Sequence, residues 1–224
     1  MSQARNEDHL DIPNHPVNDL LLMLSALLQK IVEANDSLHP DHYNSQDNQM
    51  QAGGEQNKYT TNVLAFHGRN IPAISLHAYL TRISKYCPVT NEVFLSLLVY
   101  FDRIAKRANN GDFNSTFTSS PKAGFEDSNA KQQLFVMDSY NIHRLIISGI
   151  TVASKFFSDV FYKNSRYAKV GGLPLEELNH LELQFLLLLD FKLMIQVEEM
   201  HRYGDLLMKF WKREQLKLSQ LREQ

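Results

Sequence analysis

NIHRLIISGITVASKFFSD, residues 141–159, is apolar on nearly every side of a helical wheel. A helix without a polar face belongs at the centre of a domain, wrapped by others. The β-branched residues of RLIISGITV also suit a strand. The helical neighbours, and the lack of paired strand-sized runs, favour a helix. Asp138 or Ser139 stands where a cap is needed.

Working outward, Tyr162 to Gly172 holds a short helical turn at best, stopped by Gly171-Gly172. Pro174 then opens LPLEELNHLELQFLLLLDF (173–191), with Glu176 and Glu177 beside the positive helix end. Leu178, Leu181, Phe185 and Leu188 share one face of it. A last helix starts near Val197, with Met200, Tyr203, Leu207, Phe210 and Trp211 on one side. Toward the N-terminus, TNEVFLSLLVYFDRIAKR (90–107) turns Phe94, Leu97, Leu98, Phe101, Ile104 and Ala105 inward. Leu76, Leu80, Ile83 and Cys87 mark a shorter helix ending before Pro88. Leu20, Met23, Leu24, Leu27, Leu28 and Ile31 mark another after Pro16. The fold class is all-α. The expected divisions are a loose polar tail (1–15), an N-terminal helix (16–34), a flexible linker (35–61), a helical core (62–195) with a flexible insertion (108–133), and a C-terminal helix (196–224).

The whole chain has 224 residues, 43% of them apolar and 21% charged, at a net charge of −2. That balance argues against a basic nucleic-acid coat and against a wholly disordered chain. The polar residues 1–11 lack the apolar core of a signal peptide, and no apolar run approaches the ~18 residues of a membrane span. An intracellular protein, in cytoplasm or nucleus, is expected, with no nucleic acid and no membrane as partner. The single cysteine, Cys87, excludes an internal disulfide framework and reads as a core residue.

No catalytic motif is present: no phosphate loop, no HExxH, no GxSxG. His39 and His42 lack a second ligand pair, so no metal is expected, and no cofactor. Two charges stand out. Lys155 follows the most apolar helix and precedes Phe156-Phe157. Glu182 lies among Leu181, Leu183 and Phe185. A carboxylate in such a run needs a partner or an exposed seam. From spacing alone two readings stay open: a protein-binding helix face, or a snorkelling or locally paired charge.

VYFDRI (99–104), TVASKFF (151–157) and HLELQFLLLLDFKL (180–193) resemble, in order and spacing, the three main signatures of the cyclin box. FHGRNIPAISLHAYLTRISKYCP (66–88), MDSYNIHR (137–144), SRYAKVGGLPLEELNHLE (165–182) and VEEMHRYGDLLMKFW (197–211) are similar to the phosphate-system cyclins of yeasts, the P- or U-type group. The resemblance spans about residues 16–32 and 62–212. It implies a single five-helix cyclin box flanked by an N-terminal and a C-terminal helix, and a regulatory subunit rather than an enzyme. The implied partner is a cyclin-dependent serine/threonine kinase of the phosphate-system type, in phosphate signalling or glycogen storage control. The family's kinase contacts fall on Lys155, Phe156, Glu182, Leu186 and Phe191. The first box helix, ISLHAYLTRISKY, departs from the mitotic cyclins in lacking the Trp and Met-Arg of their substrate-docking groove. Ser120-Pro121 in the insertion is a minimal site for such a kinase.

Overall fold

A computed structural model describes residues 9–38, 63–109 and 135–222. Among the described residues there are seven helices and no strand. In chain order they are α1 (Val17–Leu38), α2 (Leu76–Tyr86), α3 (Asn91–Asn109), α4 (Ile142–Phe157), α5 (Asn164–Gly171), α6 (Leu175–Leu188) and α7 (Val197–Arg222). The expected linker beyond Leu38 and the insertion from 110 to 133, with Ser120-Pro121, lie outside the described residues.

Helix α4 is the axis of the fold. Every residue from Leu145 to Ser154 is buried, and α2, α3, α5 and α6 all pack on it. Its three buried hydroxyls are satisfied within the helix. Ser148, Thr151 and Ser154 donate to the carbonyls of Arg144, Ile147 and Ile150 at 2.7, 2.8 and 2.6 Å. Gly149 lets the helices approach: a Cβ there would lie 2.6 Å from Leu97 Cδ2 on α3 and 3.1 Å from Phe185 Cζ on α6. Asp138 caps the turn before α4, its Oδ1 accepting the amides of Tyr140 and Asn141. The Ser139 hydroxyl donates instead to Asp36 on α1.

The apolar stripe of α1 is covered on three sides, by α2, α3 and α7. Leu20, Leu21, Met23, Leu24 and Leu28 are fully buried by these neighbours. The helix continues to Leu38, past the expected end at residue 34. The expectation of a loose tail as far as residue 15 is corrected. Leu10 and Ile12 are buried, the Leu10 amide donates to Asp205 of α7 at 2.9 Å, and Asn91 Nδ2 donates to the carbonyls of Ile12 and His15, both at 2.8 Å. Leu10 packs over Gly204, where a Cβ would meet Leu10 Cδ2 at 3.1 Å.

The segment before α6 is a complete two-turn helix, more than the single turn expected from sequence. Gly172 ends it in the left-handed region at φ 74°, and the amides of Gly172 and Leu173 both reach the Ala168 carbonyl. Cys87 is buried and free. Burial holds its thiol above the ordinary range, against the opposing pull of Arg166, so it is a poor nucleophile.

Candidate functional site

Where α4 runs out of core, its last turn turns outward. Ser154 is buried, Lys155 is partly exposed, and Phe156 is 40% exposed. Glu182 stands on α6, which packs along α4. The two meet: Lys155 Nζ lies 2.6 Å from Glu182 Oε1. The other carboxylate oxygen accepts from Asn164 Nδ2, in the first turn of α5, at 2.7 Å. Asn164 Nδ2 also reaches Asn179 Oδ1 at 2.8 Å. One carboxylate thus ties three helices together. The Glu182 side chain is 15% exposed and that of Lys155 32%, so the pair sits at the rim, open on one side.

Apolar side chains surround this rim without being covered. Phe156 meets Phe157 edge to face, with ring centroids 5.0 Å apart. On α6 the face opposite Leu178, Leu181 and Phe185 carries Leu183 and Leu187, both exposed, and Leu186, half-buried against the core. Beyond α6 the chain makes a costly turn. Asp190 and Phe191 both have positive φ, 55° and 56°, a conformation costing ~1–3 kcal/mol for each such residue. It leaves Phe191 58% exposed.

Helix α3 fixes that turn. Tyr100 donates its hydroxyl to the Leu193 carbonyl at 3.0 Å. Arg103 donates to the carbonyls of Lys192 and Met194 at 2.9 and 3.0 Å and pairs with Glu199 at 2.7 Å. Arg107 donates to the carbonyls of Leu187 and Leu188 at 3.2 and 3.1 Å and lies 3.6 Å from Asp190. The Arg107 bonds reach carbonyls of the last turn of α6, and those of Tyr100 and Arg103 reach carbonyls of the turn beyond it.

Of the five residues singled out from sequence, the structure brings Lys155 and Glu182 into direct contact. It leaves Phe156, Leu186 and Phe191 on separate elements, exposed or half-buried. Sequence reasoning missed Asn164, which donates to Glu182, Asn179, which accepts from Asn164, and Tyr100, Arg103 and Arg107, which hold the turn. Their spacing at i, i+3 and i+7, which puts them along one side of α3, is the available signal for the last three. Among the described residues no group of three or more His, Cys, Asp or Glu side chains could hold a metal ion, and no helix is long and apolar enough to cross a membrane.

The arrangement is an exposed apolar rim around one oriented ion pair, where α4, α5 and α6 meet. The cyclin family profile matches residues 18–193, and the chain belongs to the cyclin family. It is 52% identical over 203 residues to PHO85 cyclin-7 of Saccharomyces cerevisiae, covering 90% of this chain and 64% of that protein. It is 44% identical over 253 residues to PHO85 cyclin-6 of the same yeast, covering 94% of this chain and 60% of that one. It is 44% identical over 207 residues to PHO85 cyclin-like protein psl1 of Schizosaccharomyces pombe, covering 92% of this chain and 74% of that protein. The chain therefore spans less than two thirds of the first two relatives.

Proposed function

We propose that the chain is the regulatory subunit of a cyclin-dependent serine/threonine kinase of the PHO85 type. It docks through the face that carries Lys155, Phe156, Glu182, Leu186 and Phe191. The observation that carries this is the oriented Lys155–Glu182 pair at 2.6 Å, set among uncovered apolar side chains. Such a pattern, an apolar centre with a few directed polar groups, is what a desolvated hot spot requires. Helices α2 to α6 form the five-helix box, with α1 and α7 as its flanking helices.

A protein kinase is active when its strand-borne Lys pairs with the Glu of its αC helix. A partner stabilises that arrangement only by binding it better than the inactive one. Lys155 offers its two remaining N–H donors to kinase backbone carbonyls, while the third goes to Glu182 and fixes its direction. Phe156, Leu186 and Phe191 supply the apolar contact. The cellular role that follows from the family resemblance is phosphate signalling or glycogen storage control, in cytoplasm or nucleus.

Capture of a PHO85-type kinase on the immobilised chain, followed by an assay of the eluted pair, tests the reading. Capture with a gain in kinase activity is the expected result. Capture with a loss of activity makes the chain an inhibitor instead, and no capture removes the proposal.

A further inference from the structure

Two stretches of this chain are free of acid. Residues 70–91 carry Arg82 and Lys85, residues 160–175 carry Lys163, Arg166 and Lys169, and neither holds an Asp or a Glu. The chain as a whole stands at −2, so these cations are a local excess rather than a matter of composition.

The fold brings the two stretches together, because α2 packs against α5. Arg166 Nε donates to the Tyr86 carbonyl at 2.7 Å, and Arg82 lies 3.4 Å from the Lys169 carbonyl. Between them runs an open cleft of about 640 Å³, lined by Arg82, Tyr86, Arg166, Lys169 and Val170. Its three cations are exposed, and none has a carboxylate partner among the described residues. Elsewhere on the box the pattern differs: Arg103, Arg107, Arg144 and Lys155 hold Glu199, Asp190, Glu177 and Glu182.

Like charges gathered without counter-charge repel one another, and an incoming anion relieves that repulsion. The anion that fits is a phosphomonoester. It brings up to two charges and three acceptor oxygens, whereas a carboxylate brings one charge and two oxygens. Guanidinium groups match it in geometry as well as charge. Arg166 is already oriented, its guanidinium stacked 4.0 Å over the Tyr162 ring. Tyr86, half exposed, and Val170 give the cleft an apolar wall for the chain that carries the phosphate.

We infer that this cleft holds a phosphoserine- or phosphothreonine-bearing segment of a protein partner. It is continuous with the docking face. Asn164, which holds Glu182, begins the same helix that ends in the cleft, and Lys169 lies about 8 Å further along its axis at ~1.5 Å per residue. A substrate phosphorylated once is thereby retained beside the kinase while its next site is presented. The source of the phosphate rests on the kinase-binding reading; the binding itself does not.

The test uses the full chain without kinase and a fluorescein-labelled peptide of about ten residues with one central phosphoserine. Anisotropy should show binding about tenfold tighter than for the unphosphorylated peptide or one with Glu at that position. Affinity should fall with added salt, and inorganic phosphate should compete. The exposed pair Arg82→Gln and Lys169→Gln together should lower affinity about tenfold or more, with circular dichroism and kinase capture unchanged. Equal affinity for the three peptides overturns the inference, as does equal affinity of parent and variant. Tighter binding of a single-stranded oligonucleotide of similar length also overturns it. A parent that binds the phosphopeptide but captures no kinase supports the cleft and overturns the kinase-binding reading; the reverse pattern overturns the cleft alone.

Discussion

Replacing Lys155 with alanine removes an ammonium 2.6 Å from Glu182. In the free chain the loss is small. The Lys155 side chain is about one-third exposed, and such pairs contribute ~0–1 kcal/mol. Glu182 keeps Asn164 as a donor and gains water. At ~2–4 °C per kcal/mol for a chain of this size, the thermal midpoint should fall by no more than about 4 °C. In the proposed complex the same deletion would leave Glu182 desolvated and without Lys155 against the kinase. Truncating one member of a buried charged pair costs ~2–5 kcal/mol, roughly 30- to several-thousand-fold in affinity. Lys155→Ala should therefore stay folded by circular dichroism and lose kinase capture and activation. Glu182→Ala should do the same with a larger midpoint drop, because it also takes an acceptor from Asn164. The double variant should be less than additively worse, since the second change removes a charge already left without its partner. Titration of the four proteins against the kinase by calorimetry measures all of this. Parent-like capture by Lys155→Ala refutes the interface role. Unfolding of Lys155→Ala would instead make the pair a structural tie between α4 and α6.

Three further outcomes follow from the packing. Leu24→Asp places a carboxylate at a fully buried position of α1; losing the leucine alone costs ~2–5 kcal/mol, so a midpoint drop of about 10 °C or more is expected by calorimetric scanning. An unchanged midpoint with weaker kinase capture would place α1 in the interface instead. Gly149→Val drives a branched side chain into Leu97 and Phe185; overpacking of ~1–3 kcal/mol should lower the midpoint by about 3–10 °C. Burial holds His143 below its ordinary 6.5, only partly offset by the Ile74 carbonyl at its Nε2. Its neighbour Tyr79 is uncharged, and Arg144 is paired with Glu177. As pH falls below 6.5 the unfolded chain takes up this proton first, so the stability is present above 6.5 and is lost toward and through the lower folded value. Midpoints measured from pH 7.5 to 5 should fall more steeply for the parent than for His143→Gln; parallel curves would remove His143 as a cause.

The central helix is legible because its apolar residues surround the axis, which no surface helix can afford. The face of α6 is legible for a similar reason: Leu178, Leu181, Phe185 and Leu188 keep helical spacing and all four are buried. Lys155 and Glu182 are legible as charges misplaced in apolar runs. Their contact is not, because it depends on the register of α4 against α6 across 27 residues of chain. Leu10 and Ile12 escape notice since two apolar residues make no period. Phe191 is legible as a candidate through the family resemblance. The positive φ that exposes it is not, because Asp and Phe carry no mark of that conformation.

The ion pair and the Phe191 turn share one physical logic. Each is costly to order, and each is ordered before any partner arrives. Glu182 is fixed by donors from α4 and α5, so Lys155 loses side-chain freedom at folding rather than at docking. The two strained residues at 190 and 191 are held between the bonds of Arg107 to the last carbonyls of α6 and those of Tyr100 and Arg103 to the carbonyls of 192–194. Ordering a long side chain at an interface costs ~0.5–1.5 kcal/mol when it is done on binding. A docking face whose polar centre and aromatic edge are both set in advance avoids part of that cost. It also cannot adapt to a kinase whose helix lies elsewhere. Rigidity therefore does more than raise affinity here. On the proposed function, it makes the free energy of docking depend on the kinase already adopting one arrangement, which is the condition under which a binding protein becomes an activator.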